Sequence, residues 1–239
     1  MERFETQKKL REHLQNYREN NLRIAFVPTM GALHRGHMAL VQHARKVADV
    51  VVCSIFVNPT QFNDPDDLKK YPRPIENDIR MLREAGCQVL FHPEVDEMYK
   101  PGEKWHMDLG LLDQILEARY RPGHFQGVTQ IVKKLFDVVE PDIACFGQKD
   151  FQQFKVIERM VAHFRLPVRL VMTPTVREPD GLAMSSRNVR LSETGRTQAL
   201  ALYQALLQID ADIGKKTAAE IERDAIRFLE NSPGVNPEY

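Results

Sequence analysis

Apolar and polar positions along this chain follow two periods that alternate. Residues 22–27 are a short apolar run closed by Pro28, which reads as a buried strand. Residues 50–57 are apolar at odd and even positions alike, the pattern of a strand covered on both faces. Between them, residues 36–48 place Met38, Val41, Ala44, Val47 and Ala48 on one helical face. An amphipathic helix over 75–85 stops at Gly86, and 88–91 read as the next strand. The order then repeats, with helices at 128–139 and 150–164 and strands at 142–146 and 168–172. Strands separated by helix-length segments predict βαβ units, hence an α/β fold: a Rossmann-like parallel sheet with helices on both faces. Beyond about residue 190 the strand pattern stops and two helices follow, at 193–209 and 217–229. A domain boundary near Val176 therefore divides the chain into 1–175 and a smaller C-terminal domain, 176–239.

Two segments lack either period. Residues 58–74 hold four prolines and two asparagines, and residues 119–127 read RYRPGHFQG. Long loops after strands of an α/β sheet are common functional sites.

Charge narrows the partners. Lys plus Arg and Asp plus Glu number 33 each, so the formal net charge is zero, without the basic excess of a nucleic-acid binder. No stretch approaches the roughly 18 apolar residues that span a bilayer. The start, Met1-Glu2-Arg3-Phe4-Glu5, is charged, unlike a signal peptide. Cys53, Cys87 and Cys145 are odd in number and widely spaced, and read as buried free thiols of a cytoplasmic protein. No Cys-x-x-Cys or His/Cys cluster suggests zinc, and no metal ligand is named.

Four motifs carry chemistry. Pro28 to His37 (PTMGALHRGH) follows the first strand and opens a helix. A helix N-terminus at the carboxyl edge of a parallel sheet offers N–H groups and partial positive charge to phosphate. His34 and His37 add two donors there, and Gly31 and Gly36 allow close approach of a ligand. A lone histidine at a helix start reads as a cap; two at this spacing favour a ligand role. FGQKDFQQ, residues 146–153, also sits between a strand and a helix. Lys149 is a candidate phosphate ligand there, Asp150 either caps the helix or meets the ligand, and Gln153 lies one turn on. MSSRN, residues 184–188, brings two hydroxyls and an arginine, suited to a triphosphate although alone it reads as a solvated loop. NPTQF, residues 58–62, places two amides at the end of a strand, where a plain turn is the alternative.

Together, PTMGALHRGH, SIFVNPTQF, GHFQGV, FGQKDFQQ and MSSRN, in this order, resemble the pantothenate synthetase family over residues 24–191. The His-x-Gly-His element alone is shared with nucleotidylyltransferases and class I aminoacyl-tRNA synthetases, and supports only adenylyl transfer. The resemblance implies an ATP-dependent ligase that joins pantoate to β-alanine through a pantoyl-adenylate. It implies that Met30, His34 and His37 contact ATP, with Lys149 on phosphate and Asp150 toward the ribose. Gly31, Gly147, Val176 and Met184 complete the ATP-binding set. Ser185, Ser186 and Arg187 would hold the β- and γ-phosphates, in a loop where an arginine stands in place of a second lysine. Gln61 and Gln153 would hold pantoate, with Asn58 near the β-alanine end. Mg²⁺ and a homodimer are further implications. Asp78, as a helix residue, reads as a solvated charge more readily than as a partner of the site. The resemblance also implies a C-terminal β-sheet near where this sequence stops, so 176–239 reads as an incomplete lid. The rival readings are a nucleotidylyltransferase with another substrate, which would lack NPTQF and FGQKDFQQ, and a non-catalytic ATP-binding module.

Overall fold

The structure, a computed structural model, describes residues 1–238. They fall into two compact units, Met1–Pro174 and a second that begins at Thr175. The first is built on six strands: β1 (Glu2–Phe4), β2 (Ile24–Thr29), β3 (Val50–Ile55), β4 (Val89–Phe91), β5 (Ile143–Gly147) and β6 (Arg169–Thr173). They pair in the order β1-β4-β3-β2-β5-β6, every pair parallel.

Two separate apolar layers explain the strands without polar alternation. Ile24 and Phe26 of β2, with Val50 and Val52 of β3, face one layer, which holds Leu10, Leu14 and the buried side of helix His124–Val139. Ala25, Val27, Val51 and Cys53 face the other, against Val41 and Ala44 of helix Arg35–Val47 and Ile79 and Leu82 of helix Ile75–Glu84. Successive side chains point to opposite faces, so a strand covered twice must be apolar throughout. Burying a side chain such as Leu82, which is fully buried, contributes about 1.5–3 kcal/mol. All three cysteines are free and buried, and burial raises each thiol's pKa.

The predicted strands and helices of this unit lie within a few residues of the observed ones, with three differences. The charged N-terminus forms the edge strand β1, followed by helix Gln7–Glu19, whose Leu10 and Leu14 are buried. The expected loop at 58–74 contains a 3-10 turn, Pro59–Gln61, and a helix, Pro65–Lys70. Asp64 caps that helix, Pro65 opens it, Asp66 and Asp67 fill its first turn, and Lys69 and Lys70 its last. Cap, proline and charge placement all favour a helix there. The expected loop at 119–127 is mostly helical, because helix Glu117–Tyr120 runs into its start and His124–Val139 begins four residues earlier than its clearest apolar stripe.

The second unit holds an antiparallel bridge, Arg177 to Ala183, the 3-10 turn Ser186–Arg190 and helices Glu193–Gln198, Leu200–Asp212 and Ala218–Glu230. The single helix expected over 193–209 is interrupted at Ala199. Gly195 is a poor helix former, and the Thr197 hydroxyl donates back to the Glu193 carbonyl, competing with the backbone ladder. Among the described residues no helix is long and apolar enough to cross a membrane.

Candidate active site

In an open parallel sheet, ligands bind beyond the carboxyl ends of the strands, where the connections diverge. Here that point lies between β2 and β5. The chain leaves β2 for β3 on one side and leaves β5 for β6 on the other. The segment that leaves β2 carries Met30, Gly31 and His34, with His37 in the first turn of the helix that follows; β5 ends at Gly147, and Lys149 and Asp150 come just after it.

His34 is the N-cap of helix Arg35–Val47, and its Nδ1 accepts the Gly36 N–H at 3.1 Å. His37, one turn on, accepts the His34 N–H on its own Nδ1 at 3.3 Å. A ring nitrogen that accepts carries no proton, so in both neutral rings the proton sits on Nε2. The rings lie 4.0 Å apart between centroids. Burial first, then the proximity of His34 and of Lys149, pulls His37 down to about 3. Capping through Nδ1 therefore does not exclude a ligand role for the motif, because each ring carries its proton on the other nitrogen.

The loop before this helix is held from an unexpected direction. Gly31 and Ala32 both have left-handed backbone, φ +79° and +49°. Asp78, on helix Ile75–Glu84, is 1 % exposed; its two carboxylate oxygens accept the Ala32 N–H at 2.8 Å and the Leu33 N–H at 2.7 Å. The solvated charge expected at Asp78 is thus a buried anchor of the loop. Burial raises its pKa, and the two N–H groups pull against that rise. Gly31 has no room for a side chain, since a Cβ would meet Asp78 Oδ2 and Ile55 Cγ2 at 3.0 Å.

At the end of β3, Asn58 is 1 % exposed and its amide is fully engaged. Its Nδ2 donates to the Gly127 carbonyl and to Gln61 Oε1, each at 3.1 Å. Its Oδ1 accepts from the Tyr99 hydroxyl at 2.6 Å and the Thr60 hydroxyl at 3.1 Å. Gln61 turns its Nε2 to Met30 Sδ at 3.0 Å, which joins this cluster to the loop after β2. The Gln61 carbonyl meets His124 Nδ1 at 2.8 Å and Arg121 Nη2 at 3.2 Å. Helix His124–Val139 approaches so closely that a Cβ at Gly127 would run into the Thr60 carbonyl.

At the end of β5, Lys149 is exposed, with Asp150 Oδ1 3.8 Å away. Asp150 occupies the N-cap position of helix Phe151–Phe164 without capping it. Gln153 is half-buried in that helix's first turn.

In the second unit, the Met184 N–H donates to the Val176 carbonyl at 3.0 Å, closing a hairpin. The Arg177 guanidinium stacks over the Tyr203 ring, and Arg196 pairs with Asp180 at 2.6 Å. Ser185 Oγ accepts the Arg187 N–H at 3.2 Å and starts the 3-10 turn, while Asn188 Nδ2 ties back to the Ala183 carbonyl. Ser185, Ser186 and Arg187 thus sit on a short, internally bonded turn.

The sequence reading missed Tyr99; it quoted Thr60, His124 and Gly127 within motifs without giving them roles, and set Asp78 aside as a solvated charge. Among the described residues no group of three His, Cys, Asp or Glu side chains forms a metal cage.

The family model described as pantoate–β-alanine ligase matches residues 2–239. The pantothenate synthetase of Cytophaga hutchinsonii is 46 % identical over 232 residues, 96 % of this chain and 82 % of that protein. The crystal structure of pantothenate synthetase from Thermus thermophilus superposes with a TM-score of 0.94 at 45 % identity, covering 100 % of this chain and 86 % of that one. A pantoate–β-alanine ligase structure from Francisella tularensis, complexed with β-γ ATP and β-alanine, gives a TM-score of 0.85 at 36 % identity, over 96 % of this chain and 86 % of that one.

Proposed function

The chain belongs to the pantoate–β-alanine ligase family, and on that premise we infer that ATP activates pantoate at the edge of the sheet around His34, His37 and Lys149. The enzyme joins pantoate to β-alanine, with ATP as co-substrate. A free carboxylate is a poor acyl donor because its leaving group would be oxide. A pantoate carboxylate oxygen therefore attacks the α-phosphorus, and the new P–O bond forms as the bond to the β-phosphate breaks and pyrophosphate leaves. The β-alanine amine then attacks the acyl carbon, loses a proton, and AMP departs.

Neither step needs a protein nucleophile, so catalysis rests on alignment and on stabilising developing charge. The observation that carries the residue assignment is the pair of imidazoles with Nδ1 tied to backbone N–H groups. That pairing sets the protons of both rings on Nε2 at the start of the helix, with Lys149 close enough for its charge to act on His37. In this reading His34, His37 and Lys149 bind the phosphates, with Met30, Gly31, Gly147, Asp150, Val176 and Met184 around the nucleotide. Ser185, Ser186 and Arg187 neutralise the β- and γ-phosphates. Gln61 and Gln153 hold pantoate. Asn58 is assigned to the β-alanine end, and its saturated amide also fixes Gln61.

Mg²⁺ fits as a passenger of the nucleotide, which keeps most of its waters and needs few protein ligands. When bound it withdraws charge from the departing pyrophosphate. The two oxygens of Asp78 are already occupied by N–H groups, so it is not assigned as a ligand. EDTA is expected to abolish turnover and Mg²⁺ to restore it. We place the enzyme in the cytoplasm, where its free thiols stay reduced, and as a homodimer, which sedimentation equilibrium checks.

The reaction order is tested by supplying substrates in sequence. With ATP and pantoate alone, pyrophosphate appears at one equivalent per site; adding β-alanine starts steady AMP formation. Pyrophosphate release that ignores pantoate, or that follows a nucleoside monophosphate instead, removes the ligase assignment.

A further inference from the structure

We propose that Tyr99 is a positioning residue for pantoate: through Asn58 it fixes the side-chain amide of Gln61 in the one orientation that turns Nε2–H toward the substrate. This inference rests on the reading of Gln61 as a pantoate contact.

The orientation follows from groups that can play only one role. The Gly127 carbonyl can only accept, so the Asn58 atom facing it at 3.1 Å must be the amide nitrogen. The second proton on that nitrogen then points at Gln61, and the Gln61 atom receiving it at 3.1 Å must be Oε1. The far end of Gln61 is consequently its amide nitrogen, which rests on the thioether of Met30. Sulfur is a weak acceptor, and a carboxylate or hydroxyl oxygen of an arriving substrate is a better one.

Reversing the chain would be expensive at its first link. With Asn58 flipped, its carbonyl would face the Gly127 carbonyl in a site 1 % exposed to water. Tyr99 supplies the complementary lock. Its hydroxyl donates to Asn58 Oδ1 at 2.6 Å, the shortest contact in the cluster, and the Thr60 hydroxyl reinforces it at 3.1 Å. The Tyr99 ring is itself held, with Phe56 at 6.2 Å between centroids and the Lys134 ammonium 5.4 Å from its centre. Burial pushes the phenol up to about 12, so it remains a proton donor through the neutral range. Meanwhile the Gln61 main chain is fixed by His124 and Arg121. Backbone and side chain of Gln61 are thus constrained independently, and Tyr99 acts on the side chain alone. The site presents a donor to pantoate and disfavours a ligand offering a donor at the same place.

The test compares Tyr99→Phe, Gln61→Ala and the double variant by steady-state kinetics. Tyr99→Phe is expected to raise KM for pantoate about tenfold, the equivalent of one well-placed hydrogen bond, and to leave KM for ATP and the melting temperature nearly unchanged. In the Gln61→Ala background, adding Tyr99→Phe is expected to have no further effect on pantoate KM, because the two act through one path. If Gln61→Ala raises pantoate KM and Tyr99→Phe does not, the Tyr99 relay is overturned while the Gln61 assignment stands. If Gln61→Ala itself leaves pantoate KM unchanged, that assignment falls and the relay with it. Equal losses for pantoate and ATP in Tyr99→Phe would mark a general structural role and also overturn the proposal.

Discussion

Lys149→Ala is expected to slow pantoyl-adenylate formation by at least about a hundredfold while the protein stays folded, since one preorganised charge contact supplies roughly 2.7–4 kcal/mol to such a transition state. The fold has little to lose at this position. The Lys149 side chain is 40 % exposed and its ion pair with Asp150 spans 3.8 Å, the kind of surface pair that contributes about 0–1 kcal/mol. Its charge nevertheless reaches His37 strongly enough to depress that ring's pKa. Burial first, then the nearness of His34 and Lys149, disfavours a proton on His37, and a bound triphosphate would offset the two neighbouring charges. His37→Ala should slow the same step comparably, but it also removes the acceptor for the His34 N–H, a cap loss of about 0.5–2 kcal/mol. Lys149 is therefore the cleaner variant. Rapid-quench single-turnover measurement of pyrophosphate release checks the rate, and thermal denaturation checks the fold. A near wild-type rate in Lys149→Ala would remove Lys149 from the assignment.

How far these groups could be read from sequence depends on whether their signal is local. Residues 50–57 declare a doubly covered strand by their composition alone, and the His-x-Gly-His spacing declares a helix start at a strand end. Both signals span a few adjacent positions. Asn58 and Gln61 were legible as polar groups at a strand end, but not as partners locked by Tyr99, 41 residues from Asn58, and by Gly127, 69 residues away. Nothing local marks such pairs. The edge strand β1 is only three residues long, too short to show a period. Asp78 is a different case, because its signal was present and was overruled by residue type. Ile75, Asp78, Ile79 and Leu82 follow the i, i+3, i+4, i+7 stripe of a buried helical face. A carboxylate in that phase has to find hydrogen-bond donors inside the protein. It finds them in the two N–H groups that a left-handed loop leaves without a ladder.

That stripe gives Asp78→Asn a definite expected outcome: stability and adenylation rate fall together, but for separable reasons. Asparagine keeps one acceptor oxygen and sets its NH₂ against the other backbone N–H, so either Ala32 or Leu33 loses its partner. A buried donor left unpaired costs about 1–3 kcal/mol, and each kcal/mol lowers Tm by roughly 2–4 °C in a chain of this size. The rate falls because Asp78 also holds Ala32 at φ +49°, a conformation an alanine does not keep unaided. Once released, the loop relaxes and carries His34 with it, and a displacement of about 1 Å can cost on the order of 10²-fold in rate. A second substitution separates the two effects. Ala32→Gly in the Asp78→Asn background relieves the left-handed strain and should recover part of the lost Tm. It leaves the loop with one anchor too few, so the adenylation rate should stay low. If Asp78→Asn melts earlier yet adenylates pantoate at the wild-type rate, the carboxylate stabilises the fold without placing His34. Recovery of both quantities by Ala32→Gly would mean that backbone strain, rather than the missing acceptor, had slowed the reaction.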